Sequence, residues 1–203
     1  MFKIINKTSP EIVESTANEL YQHTVYVGQH QVVENNRSSY WYVHGDTVVS
    51  KTGNSGSIID SKEMCVEIYG YTPETRTSTF NKGTDLPYIN GCSAKQLITP
   101  NRVGDPTFQM LYIPKGVSEQ EHHIHATARV VYVARGRGKS IVGTPSNSEV
   151  YDLNEGDVII LGKMIPHHFE TVDSDLLVLP LHVFSSVASE EFNHPMYNGT
   201  HRV

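Results

Sequence analysis

Apolar and polar residues alternate along most of this chain in short runs, each closed by turn-forming residues. From residue 24 onward the runs 24–33, 40–43, 47–51, 57–59 and 64–69 are rich in β-branched and aromatic side chains. Asn35-Asn36, Gly45-Asp46, Gly53-Asn54 and Thr72-Pro73 separate them, the pattern of half-buried strands joined by turns. Residues 70–87 are polar and predict a long loop or weak edge strand. Strands follow at 93–98 and 108–113, then a long one over 121–134 that Gly136-Arg137-Gly138 should turn. Segments 140–142, 149–153, 158–161, 167–171 and 176–184 complete the series, with Asn154-Glu155-Gly156-Asp157 a strong turn signal. Two stretches read otherwise. Ser9-Pro10-Glu11 has the form of a helix start, and Val13, Ala17, Leu20 and Tyr21 fall on one helical stripe ending near residue 22. A short helix is also expected over 186–192. Many short strands at near-regular spacing predict an all-β chain folded as a closed barrel or two-sheet sandwich with one N-terminal helix.

Composition narrows the classes. With 203 residues one domain plus an extension is expected. The boundary is placed between 1–106, the helix and β-rich extension, and 107–203, the barrel with its short C-terminal helix. A net charge of −6 with no basic run offers nucleic acid no purchase. No apolar run reaches the roughly 20 residues of a membrane helix and no signal region opens the chain, so neither membrane nor export is expected and the cytoplasm is the default. Cys65 and Cys92 have no CxxC spacing and read as reduced thiols.

Candidate chemistry is concentrated in Glu121-His122-His123-Ile124-His125 and Pro166-His167-His168, which hold five of the eleven histidines. If the first window is a strand, Glu121, His123, His125, Thr127 and Arg129 share one face, while His122 and Ile124 take the other. Two imidazoles from one strand and a third from a neighbour suit a divalent transition metal and leave positions open for substrate. His122 and His168 read as packing or surface residues, although a one-residue slip would exchange His168 for His167. His182 is either a second cavity histidine acting as general base or a satisfied core residue.

These residues resemble the cupin family. Gly116, His123, His125 and Gly136 match its first motif, with one extra residue after Gly116; Gly156 and His167 match its second. Gly162, Met164 and Thr171 stand at that motif's proline, glycine and asparagine positions. The resemblance covers about residues 107–184. It implies a double-stranded β-barrel (jelly roll) with a metal held by three histidines and a glutamate, here His123, His125 and His167, with iron the leading metal and zinc, nickel or manganese alternatives. Arg129 stands in the glutamate's place. Arginine has no acceptor and a permanent charge, so it cannot ligate a cation. It either pairs with an acid, Glu121 being nearest on the predicted face and also a candidate ligand, or holds a substrate carboxylate.

Two functional classes remain open on these grounds. One is a metal-dependent enzyme, dioxygenase-like or a Lewis-acid isomerase or lyase, acting on a small and perhaps anionic organic molecule. The other is a non-catalytic binding or sensing barrel with a structural metal or none, and a storage or scaffold role stands behind both. The N-terminal strands are expected to extend the barrel's sheets and to exchange across a homodimer, as is common in the family. A degenerate second cupin over 24–98 is a further alternative.

Overall fold

The computed structural model describes residues 1–184 except Asn18, Leu20, Lys82, Asp85 and Glu121; the helix expected over 186–192 lies outside the described residues. The chain divides into two compact units, Ile4–Lys82 and Gly83–Val203 with Met1–Lys3. The first strand, β1 (Phe2–Ile5), begins in the second of these.

The first unit is built from β2 (Glu11–Glu14), β3 (His23–Val27), β4 (His30–Val33), β5 (Ser38–His44), β6 (Thr47–Thr52), β7 (Ile58–Ser61), β8 (Met64–Tyr69) and β9 (Arg76–Thr79). Six of them form an antiparallel sheet in the order β2-β3-β8-β5-β6-β9, and β4 pairs with β7. Tyr40, Trp41, Met64, Val66 and Ile68, all on β5 and β8, are fully buried. Each such side chain contributes about 1.5–3 kcal/mol by leaving water. Glu67 is buried among them and is satisfied by the hydroxyls of Tyr40 (3.1 Å) and Tyr26 (3.3 Å).

The expected N-terminal helix is not formed. Residues Glu11–Glu14 are β2, paired with β3 from Glu11↔Val27 to Glu14↔Thr24. Ile12 is exposed and Val13 buried, so the pair follows a strand's alternation. The Ser15 amide to the His23 carbonyl (2.8 Å), and the His23 amide to Ser15 Oγ (2.9 Å), close the connection. Adjacent β-branched residues beside an available sheet edge outweigh a four-residue helical coincidence. No helix among the described residues is long and apolar enough to cross a membrane.

The second unit contains β10 (Leu86–Pro87), a 3-10 turn (Ile89–Gly91), β11 (Ser93–Ile98), β12 (Thr107–Ile113), β13 (Arg129–Thr144), β14 (Asn147–Asn154), β15 (Val158–Leu161), β16 (His167–Glu170) and β17 (Leu176–His182). Its main sheet runs β1-β15-β13-β17-β12-β11-β10. The organising strand is β13. Its first half, from Arg129, pairs with β15 and β17; its second half, from Arg137, pairs with β14 and β16. Gly136-Arg137-Gly138 therefore does not turn the chain as expected but bends it between two sheets. The register with β17 shifts between Val133 and Arg135, and Gly136 has φ +81. A Cβ there would lie 1.9 Å from the Asp175 carbonyl oxygen, so only glycine fits.

The strand pairing does not close into the expected barrel. The order starts at β1 and ends at β10, with β14 and β16 attached to β13 off that path. One long bent strand can serve two sheets without a ring of hydrogen bonds. Val130, Val133, Ile159, Ile160, Leu176 and Val178 bury the main sheet's side chains.

Candidate metal centre

The long strand expected over 121–134 is regular only from Arg129. Residues 122–128 are irregular because they pass from a partner in one sheet to partners in the other. His123 bridges to His167 through two backbone hydrogen bonds, 3.1 Å from its own amide and 3.0 Å from that of His167. Arg129, six residues on, sits opposite both Leu161 and His182. His125 lies between, its carbonyl receiving the Met164 amide at 2.7 Å.

Strict strand alternation is thus absent, yet the three histidines converge. Ring centroids are 4.8 Å apart for His123 and His125, 4.5 Å for His123 and His167, and 5.1 Å for His125 and His167. One ring nitrogen from each lies within 4.8 Å of the others. His123 Nε2 and His125 Nε2 are 3.1 Å apart. Two nitrogens about 2.1 Å from one metal, at right or tetrahedral angles, would be separated by roughly 3.0–3.4 Å. The donor set fits a divalent transition metal.

The protonation states fit as well. His167 Nδ1 donates to the Ile165 carbonyl at 2.8 Å, which fixes its tautomer and leaves Nε2 as the ligand atom. Burial first, then the Arg129, His123 and His167 charges, pushes His125 down to about 2. Burial lowers His167 too, against the raising effect of its Ile165 bond. Both are neutral imidazoles, the form that binds metal.

Arg129 is buried in the same surroundings. Its Nη1 donates to the Thr127 hydroxyl, the Thr127 carbonyl (3.3 Å) and the Ala128 carbonyl (3.4 Å), while Nε has no partner among the described residues. Burial alone pushes the guanidinium down to about 9, so it stays charged at neutral pH. No carboxylate among the described residues pairs with it; Glu121, the expected partner or fourth ligand, lies outside them. His182 is opposite Arg129, hence on the same face, and its ring is 6.3 Å from that of His125. His122 and His168 form a separate pair on the other face, ring centroids 4.5 Å apart, with His168 Nε2 2.9 Å from Glu170 Oε1.

A family model for the cupin domain matches residues 108–184. Residues 108–184 are thus a cupin domain within this chain. Among solved structures, this chain is similar to a cupin 2 conserved barrel domain protein from Leptotrichia buccalis, at 17% identity and TM-score 0.51. That match covers 89% of this chain and 96% of the other. It is similar to a putative glyoxylate-induced protein from Pseudomonas aeruginosa at 9% identity and TM-score 0.63, covering 95% and 92%. Oxalate decarboxylase from Bacillus subtilis, a protein with Mn(II) centers, matches at 12% identity and TM-score 0.52, covering 92% and 78%. At such identities the likeness is one of fold. No curated protein matches the chain in sequence.

One carboxyl escaped the sequence reading of this cupin. Glu119 is buried, with Oε2 lacking any partner. Strand parity counted back from His123 places Glu119 with Glu121, but nearness to the histidine pointed to Glu121 alone.

Proposed function

We propose that this cupin is a metal-dependent enzyme acting on a small organic anion, with His123, His125 and His167 as the metal ligands and Arg129 as the carboxylate-binding group. The observation that carries the reading is the buried Arg129 guanidinium, without a carboxylate partner among the described residues, beside three clustered histidines, two of them held neutral. A charge removed from water without a counter-ion costs several kcal/mol, and an incoming carboxylate recovers much of that cost. Such a group is expected where a substrate supplies the missing charge.

When bound, a divalent ion at the histidines supplies Lewis-acid polarisation of a substrate oxygen and, for iron or manganese, redox chemistry. Arg129 orients the anion, with Thr127 and Ala128 occupying Nη1 and Nε left without a partner among the described residues. In this reading His182, which lies opposite Arg129, receives or returns a proton. The fold likeness to an oxalate decarboxylase agrees with a small carboxylate as ligand, and the Mn(II) centers of that protein make manganese a candidate beside iron.

Metal analysis of untagged protein, followed by thermal-shift titration with oxalate and other small carboxylates, tests the reading. About one metal per chain is expected, lost in the His123→Ala/His125→Ala variant and retained in His122→Ala. Carboxylates should raise the wild-type midpoint and leave that of Arg129→Met unmoved. A chain that takes up no metal, or an Arg129→Met variant that responds like wild type, overturns it. A response abolished equally by Glu121→Gln would instead tie Arg129 to that acid.

A further inference from the structure

The segment before the metal ligands carries a second polar feature on the ligand face. Ser118 bridges to Glu170, and the Glu119 amide donates to the Phe169 carbonyl at 2.9 Å. Glu119 is therefore opposite Phe169, and opposite residues of an antiparallel pair share a face. Phe169 shares its face with His167 two residues earlier, their rings 6.3 Å apart. His123 is opposite His167 in turn. Glu119, His123, His167 and Phe169 thus form one inner face, while Ser118, His122, His168 and Glu170 form the outer one. Diagonal neighbours across such a pair stand about 7–8 Å apart, so Glu119 is one diagonal step from His167, and its carboxyl also lies near Tyr88 and Cys92.

Glu119 is 5% exposed, and Oε2 is buried with no hydrogen-bond partner among the described residues. The neighbouring 3-10 turn holds its segment in place: Asn90 Nδ2 donates to the Ser118 carbonyl at 3.0 Å, and the Tyr88 hydroxyl to Gln120 Oε1 at 3.3 Å. Burial pushes the carboxyl up to about 7, against a hydrogen bond from the Phe169 backbone. An orphaned, largely desolvated carboxyl oxygen is costly unless a ligand completes it. Arg129 belongs to the other half of the fold's pairing, opposite Leu161 and His182, whereas Glu119 pairs toward β16.

We infer that Glu119 is the specificity-determining contact of this site: it takes the second oxygen-bearing group of a small bifunctional acid whose carboxylate lies on Arg129. This rests on the metal and anion reading above. It adds the substrate class, a short hydroxy- or dicarboxylic acid rather than a simple monocarboxylate.

The test uses the full-length, manganese-loaded protein and calorimetric titration with 3-hydroxypropionate, malonate and propionate. Wild type should bind both bifunctional acids about tenfold or more tightly than propionate, as one buried hydrogen bond provides. Glu119→Leu should lose that preference while binding propionate as before, and Glu119→Gln should keep part of it for the hydroxy acid. Metal content of both variants, measured alongside, confirms that the site is intact. Equal preference in wild type and Glu119→Leu, or none in wild type, overturns the Glu119 role while Arg129-dependent propionate binding leaves the wider reading standing. Failure of wild type to bind any of the three overturns both.

Discussion

Arg129 and His23 carry opposite lessons about buried nitrogen. Arg129 keeps its charge without a described counter-ion, so Arg129→Met should remove a liability. We expect the variant to be more stable by about 1–3 kcal/mol in urea denaturation while losing its response to carboxylates. Destabilisation by a similar amount would mean that the guanidinium is satisfied in the free protein. His23 instead surrenders its charge. It is buried in the first unit with Nδ1 3.0 Å from the Tyr21 carbonyl, and burial lowers its pKa below 6.5. Below pH 6.5 the unfolded chain takes up a proton at this position that the folded chain resists. The unfolded state then binds more protons, so stability falls as pH drops from 6.5 toward the folded value and is fully present above 6.5. His23→Gln should flatten that part of the stability profile relative to wild type, measured by denaturant midpoints between pH 5 and 7. Parallel profiles would assign the acid sensitivity to other histidines.

Among the elements, β13 shows what sequence pattern can and cannot give. Its residues read as β throughout, but Gly136-Arg137-Gly138 has the composition of a turn. Only the second sheet, with β14 and β16 as partners, explains why the strand continues. The histidine window failed differently. Face parity chose His123 and His125 together, and they do meet, but through an irregular segment and a single bridge rather than along a regular strand. Which residues gather was legible because motif spacing encodes it; how they gather depends on partners distant in sequence. The lost N-terminal helix has the same cause, since β3 supplies the edge that β2 joins. The bend itself is testable. Gly136→Ala should cost at least about 2 kcal/mol from its positive φ and its clash with Asp175. Gly116→Ala, with φ +75 but open space, should cost about 1–2 kcal/mol. Equal losses would mean that the strand can bend without the glycine.

At the scale of the whole molecule, all-β character was visible from alternation alone, and the cupin motifs located the domain now matched over 108–184. Division into two units was harder to see, because strand-rich sequence runs through both. Fold likeness extends over 89–95% of the chain for the Leptotrichia and Pseudomonas proteins, well beyond the matched domain. Among the described residues β9 and the two-residue β10 stand last in their sheets, and edge strands are sites where a second chain can add. We expect them to be covered in a homodimer, so sedimentation at micromolar concentration should show a two-chain species. A single-chain mass across the accessible range would count against it.

The hairpin that joins β13 to β14 sets where this protein can vary in length. Thr144 pairs with Asn147, leaving Pro145 and Ser146 exposed at the tip. Upstream, every position from Arg129 to Gly143 is in register with at least one sheet or forms the bend between them. Losing or gaining one residue there would swap inward and outward side chains for the rest of the strand, carrying Ser140 and Val142 away from β16. Inserted residues at the tip disturb no register at all. A peptide epitope or a fluorophore-bearing segment placed between Pro145 and Ser146 should leave metal uptake intact, making it the natural handle for labelling this chain.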